Sequence, residues 1–114
     1  MSKQAYKFRL SPTRQQQERL QWTLDRAREL YNAALQERRD AYRMAGLSLN
    51  YYDQANQLPE IKEIRDEYQD IHSQVLQNVL RRVQKAFDHF FRRCKNGEEP
   101  GYPRFQGKNR YAVM

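Results

Sequence analysis

The chain of 114 residues is long enough for one small domain. With 39% hydrophobic residues and a mean hydropathy of −1.14, its core has to be thin and drawn from single faces of amphipathic elements. No apolar run is long enough to span a bilayer and no signal peptide opens the chain, so a cytoplasmic protein without membrane partners is expected. The single cysteine, Cys94, excludes an internal disulfide and a cysteine-pair zinc site. The net charge of +7 is spread unevenly. Residues 1–72 carry 12 Lys/Arg against 11 Asp/Glu, a net of +1; residues 73–114 carry 9 against 3, a net of +6. A polyanion facing the second half is implied, nucleic acid rather than membrane.

In chain order, Ala5–Leu10 alternates aromatic or aliphatic with basic residues, the period-2 pattern of a half-buried strand. Ser11-Pro12 breaks it, and Thr13 with Gln16 has capping-box spacing. A long helix is predicted from there to about Met44 or Ala45, with a seam of Leu20, Leu24, Ala27, Tyr31, Ala34, Leu35 and Tyr42. Arg38 falls on that seam and must snorkel or find a partner. Glu18, Asp25, Glu29 and Asp40 form a solvated acidic face that would repel phosphate. Trp22 lies off the seam and is expected to pack against the terminal strand, with stacking on a base as the alternative.

Gly46 ends that helix. A short helix is predicted before Pro59, then a mixed-charge segment to about Gln69 with an apolar stripe of Ile61, Ile64, Tyr68 and Ile71. Its acids alternate with Lys62 and Arg65 as local helix pairs, not as catalytic carboxylates. The segment from Ser73, a candidate N-cap, to Gly97, a candidate C′ residue, then reads as a second long helix. Its apolar arc is Leu76, Val79, Leu80, Val83, Phe87, Phe90, Phe91 and Cys94, the cysteine acting as a small buried hydrophobe. Opposite lie Gln74, Asn78, Arg81, Lys85, His89 and Arg92, with Arg82 and Arg93 to one side. After Gly97 come an aromatic and basic loop over 98–110 and the start of a strand at 111–114.

Catalytic chemistry is missing from the pattern. His72 and His89 have no further ligand at helical spacing, so no metal is expected. There is no glycine-rich phosphate loop and no nucleophile beside a base, so no cofactor, small-molecule substrate or catalytic residue is assigned. Binding chemistry remains. Arg81, Lys85 and Arg92 line one face and can follow phosphates. Gln74 and Gln77, in the first turns, can reach base edges. Tyr102, Phe105 and Arg104 offer stacking planes beside a cation.

Five blocks in order carry a family resemblance: Ala5-Tyr6-Lys7-Phe8-Arg9-Leu10-Ser11-Pro12-Thr13, Leu30-Tyr31-Asn32-Ala33-Ala34-Leu35, Ser73-Gln74-Val75-Leu76-Gln77, Ala86-Phe87-x-x-Phe90-Phe91-Arg92 and Gly101-Tyr102-Pro103-Arg104-Phe105. Over about residues 5–107 the chain resembles the N-terminal region of the insertion-sequence OrfB/TnpB family of transposon-encoded, RNA-guided DNA nucleases. The resemblance implies a helical recognition lobe inserted into a β-barrel wedge domain, binding the guide RNA–target DNA hybrid and a short motif flanking the target. By matching position, Tyr51 and Gln77 become motif-reading candidates, with Ser73 and Gln74 behind them. The family's RuvC-like nuclease and zinc ribbon lie outside these residues, so the chain is expected to be a fragment or truncated product without nuclease activity.

The fold expected is mainly α: two long antiparallel helices plus short helices, with short β-strands at both ends belonging to a wedge barrel. The whole of 1–114 is one recognition domain, with a strand at 5–10, a helical part over 13–97 and the basic loop and strand start over 98–114. The candidate nucleic-acid-binding residues are Tyr51, Gln74, Gln77, Asn78, Arg81, Lys85, Arg92 and Arg104. The partners expected are DNA and guide RNA. Two other readings stand beside this one: a dimeric helix-turn-helix DNA regulator, and a helical protein-interaction module.

Overall fold

The capping box forms as expected. In the computed structural model, which describes residues 13–98 and 101–107, the Gln16 N–H donates to Thr13 Oγ1 at 3.1 Å. The Thr13 N–H donates to Gln16 Oε1 at 2.9 Å. Two of the four orphan donors of a helix start are thereby satisfied. Helix α1 then runs Arg14–Ala45. It stops where Gly46 adopts φ +64 and donates to the Tyr42 carbonyl at 2.9 Å, a left-handed closure that costs glycine no Cβ clash.

Residues 46–72 retrace the length of α1. Helix α2 (Tyr51–Ala55) is boxed by Asn50 and Asp53. Helix α3 (Leu58–Ile64) has Pro59 in its first turn, where the missing N–H does no harm. A 3-10 turn spans Asp66–Asp70, so the mixed-charge segment is broken at Arg65 and does not continue as one helix to Gln69. Contacts mark the course backward along α1. The Gln54 side-chain amide donates to the Ala34 carbonyl, Gln57 to Glu37, Tyr68 to the Arg26 carbonyl, and Arg19 to the Asp70 carbonyl.

Helix α4 (Ser73–Lys95) therefore starts beside the beginning of α1. It runs in the same direction, with Gln84 and Phe87 reaching Arg38 near the other end. The expected antiparallel pair is thus a parallel one. Short connections make helix neighbours antiparallel; here the connection is long enough to return to the start before α4 begins. The expected strands at 5–10 and 111–114 lie outside the described residues, and the described residues contain no strand.

The α4 cap is also shifted. His72 Nδ1 accepts the Gln74 N–H at 3.1 Å, making His72 the N-cap, while Ser73 is helical and its Oγ takes the Lys62 ammonium at 2.9 Å. The far end closes at Asn96, followed by Gly97 with φ +78. Arg92, Arg93 and Lys95 in the last turn complement the negative end of the helix dipole.

The core is a seam between α1 and α4 capped by the return segment. Leu35, Leu76, Val79, Leu80 and Val83 are almost fully enclosed, and Ala27, Leu30, Tyr31, Ala34, Leu58, Tyr68, Ile71 and Phe87 join them. Each large aliphatic contributes about 1.5–3 kcal/mol through burial. The periodicity overreaches at the helix ends. Leu20, Tyr42, Ile64, Phe91 and Cys94 were expected to be inside and are exposed. Phe91 and Cys94, with the half-buried Phe90 and the edge of the core residue Phe87, line an open cleft of about 320 Å³ with Tyr42, Leu49 and Tyr102. Trp22 is half-buried, and its ring is flanked by the guanidinium groups of Arg19 and Arg26 at 4.7 and 5.6 Å. The terminal strand expected to cover it lies outside the described residues.

Arg38 is the polar exception in the seam, only 5% exposed. Its Nε donates to Gln54 Oε1 and its Nη2 to Gln84 Oε1, both at 2.8 Å, and the guanidinium lies 5.1 Å over the Phe87 ring. Each amide passes the charge outward. Gln54 Nε2 donates to Glu37 Oε1 at 3.0 Å, and Gln84 Nε2 to Asp88 Oδ1 at 2.8 Å. Burial lowers the Arg38 pKa from its usual value, and the charges of Asp88, Asp53 and Glu37 oppose that shift.

The acidic face of α1 is not merely solvated. Glu29 takes Arg26 and Arg65 at 2.9 Å each, and Arg65 also holds Glu67 at 2.8 Å. Arg65 thus ties α1 to the return segment, in place of the local helix pairs expected. Beneath it, the Tyr68 hydroxyl donates to the Arg26 carbonyl at 3.3 Å. Burial, reinforced by the Glu29 charge, pushes its pKa up to about 12. The unfolded value is near 10. The folded state therefore holds the Tyr68 proton more tightly. The associated stability is intact below pH 10 and is lost as pH rises from about 10 to 12, a decline of about 2 kcal/mol. Urea midpoints measured from pH 9 to 12 are expected to fall more steeply for the wild type than for Tyr68→Phe; parallel profiles would refute the assignment.

Candidate nucleic-acid interface

Helix α4 sorts its residues by the side that α1 covers. With Leu76, Val79, Leu80, Val83 and Phe87 held in the core, the 3.6-residue period turns Gln74, Asn78, Arg81, Lys85 and Arg92 outward. All five are exposed. Arg81 and Lys85 are one turn apart, about 6 Å along the axis, and Arg92 lies about 10 Å beyond Lys85. That spacing suits contacts to successive phosphates. Asp88 is the single acid of α4 and sits at the edge of this face, where Gln84 holds it. The face has its own internal order: Gln74 Nε2 donates to Asn78 Oδ1 at 3.1 Å, and Arg92 Nη2 lies 2.6 Å from His89 Nδ1.

Tyr51 joins this face. The Asn50 cap sets Tyr51 at the start of α2, against the flank of α4, and the Arg81 guanidinium lies 4.8 Å over its ring. Tyr51 and Gln77 are half-buried, and Gln77 stands one turn before Arg81. Tyr51, Gln77 and Arg81 thus form the border where α2 meets α4. The stack presents Arg81 as a fixed plane, which lowers the entropy lost on binding.

Arg104 stands apart. It lines a separate hollow of about 340 Å³ with Arg39, Gly101, Tyr102, Pro103 and Phe105. Arg39 escaped the reading of the sequence. It shares a flank of α1 with Asn32, two turns earlier, but nothing local shows that the loop docks there. Among the described residues no group of three or more His, Cys, Asp or Glu side chains could hold a metal ion. No helix among them is long and apolar enough to cross a membrane.

Residues 1–46 match a family model described as a helix-turn-helix domain, of the insertion-sequence OrfB type. In the described part of that span, residues 14–45 form one uninterrupted helix. Over 110 residues, 95% of the chain, the sequence is 30% identical to a Streptomyces pristinaespiralis protein named as an RNA-guided DNA endonuclease. The chain spans only 26% of that relative's own length. No solved structure matches.

Proposed function

Taking the chain as an OrfB/TnpB-like N-terminal region, as its motifs and both matches support, we propose that it is the nucleic-acid-binding recognition module of a TnpB-like RNA-guided DNA endonuclease. The outward face of α4 holds the backbone of a guide RNA–target DNA hybrid through Arg81, Lys85 and Arg92. Gln74, Asn78 and the Tyr51–Gln77 border meet the bases of the target-flanking motif. The module forms one domain over 1–114, acts in the cytoplasm and binds without cutting, the nuclease chemistry belonging to other parts of such proteins. One observation carries this reading: five exposed cationic and amide side chains aligned on a helix whose opposite face is locked in the core.

A stand-alone helix-turn-helix regulator fits the geometry less well. Among the described residues the most tightly joined α-helices are α2 and α3, of 5 and 7 residues and separated by two residues. Neither is long enough to present a recognition helix along a major groove.

The test is binding of the 114-residue protein to an RNA–DNA hybrid, a structured RNA and duplex DNA of equal length, from about 50 to 300 mM salt. Affinity is expected to fall steeply with salt and to favour hybrid or RNA over duplex DNA. A footprint on palindromic duplex DNA with no affinity for hybrid would instead support the regulator. Salt-insensitive capture of a protein without any nucleic-acid binding would support an interaction module.

A further inference from the structure

We propose that the flank of α1 away from the α2–α3 return carries a second nucleic-acid site, built from Arg39, Tyr102, Arg104 and Phe105, that holds an unpaired nucleotide of a single-stranded segment. The loop is fastened at both ends before any ligand arrives. Asn32 Nδ2 donates to the Gln106 carbonyl at 3.1 Å, and the Gln106 N–H donates to Asn32 Oδ1 at 2.8 Å, so one side-chain amide satisfies a backbone unit much as a neighbouring strand would. At the other end the Tyr102 ring packs edge-on to Phe87 and Phe90, with centroids 5.6 and 5.0 Å away. Between these anchors the Arg39 guanidinium lies over both Tyr102 and Phe105, at 5.4 and 5.6 Å.

Three planar groups are thereby ordered around one hollow, with the Arg104 charge at its rim. Tyr102 and Phe105 remain 40% and 45% exposed, far more than core packing would leave them. Among the described residues no carboxylate pairs with Arg39 or Arg104. Flat aromatic faces beside uncompensated guanidinium groups suit a π-faced, anionic ligand, and a nucleotide meets both demands. Only an unpaired nucleotide can present its base face, because in a duplex that face is covered by stacking. The ligand class rests on the nucleic-acid reading above, but the site shares no residue with the α4 face.

The test compares fluorescence anisotropy of labelled oligouridine and oligothymidine with that of an RNA–DNA hybrid, using the whole chain. Phe105→Leu keeps apolar bulk and removes the π face; Arg39→Gln removes the stacked cation. Each is expected to weaken single-strand binding about tenfold or more, while hybrid affinity stays within about twofold. Phe105→Tyr is expected to restore binding. Photocrosslinking of 4-thiouridine RNA to the wild type should label Tyr102 or Phe105. The proposal is overturned if the wild type binds no unpaired oligomer. Variants with wild-type circular dichroism that bind single strands normally would also sink it, as would crosslinks confined to α4. A wild type that binds unpaired oligomers but not the hybrid would count against the α4 reading and leave this site standing.

Discussion

Replacing Arg38 by alanine is expected to cost about 3 kcal/mol of folding stability. The Gln54 carbonyl oxygen, on a residue only 2% exposed, would lose the Arg38 Nε donor in a buried setting. An orphaned buried acceptor costs about 1–3 kcal/mol. The stack on Phe87, worth about 0.5–2 kcal/mol, would go as well, and a void would open between α1 and α4. Arg38→Met keeps the packing volume and should cost clearly less. Gln54→Ala should be as harmful as Arg38→Ala, because it strips a buried guanidinium of a partner and cuts its link to Glu37. Gln84→Ala should cost under about 1 kcal/mol, since Gln84 is half-exposed and water can stand in. Urea unfolding of the four variants decides the matter; an Arg38→Ala protein within about 1 kcal/mol of wild type would show that the network carries little energy.

The second large effect is on binding. Reversing Arg81, Lys85 and Arg92 to glutamate moves the net charge from +7 to +1 and turns three attractive contacts into repulsive ones. If all three meet phosphates, affinity for the hybrid at about 100 mM salt should fall at least 100-fold, and the slope of log affinity against log salt should shrink by about three. The corresponding glutamine variant should lie between. All three side chains are exposed, so the far-UV circular dichroism should stay close to wild type, while loss of the Tyr51 stack and a negative charge in the last turn of α4 should lower the unfolding midpoint modestly. An affinity unchanged within about twofold in a folded variant would remove α4 as the polyanion face.

These two experiments probe features that differ in how far they can be read locally. The α4 face follows from spacing alone. Apolar residues at three- and four-residue intervals define a buried side, and the cations fall opposite whatever the partner is. Family resemblance points to Tyr51, but its place beneath the Arg81 guanidinium depends on how α2 lies across α4. Arg38 could be recognised as a charge on an apolar seam. Its partners, 16 and 46 residues away, could not, because no local rule connects a glutamine in one short helix to another in α4.

What the sequence determines by itself is helix extent and sidedness. The Thr13–Gln16 box, Gly46 and Gly97 mark helix ends because capping and left-handed glycine are properties of a few neighbouring residues. What only the tertiary structure decides is direction, coverage and docking. Residues 46–72 run back along α1, so α4 lies parallel to it; periodicity carries no information about which way a partner runs. Cys94 and Phe91 are apolar-sided yet exposed, because an amphipathic stripe says which side would be buried and not how far the neighbouring helix reaches. The Arg39 hollow exists because Asn32 fastens a loop 74 residues away. Contacts at that separation are selected by the packing of the whole chain, where no residue's own preference can announce them.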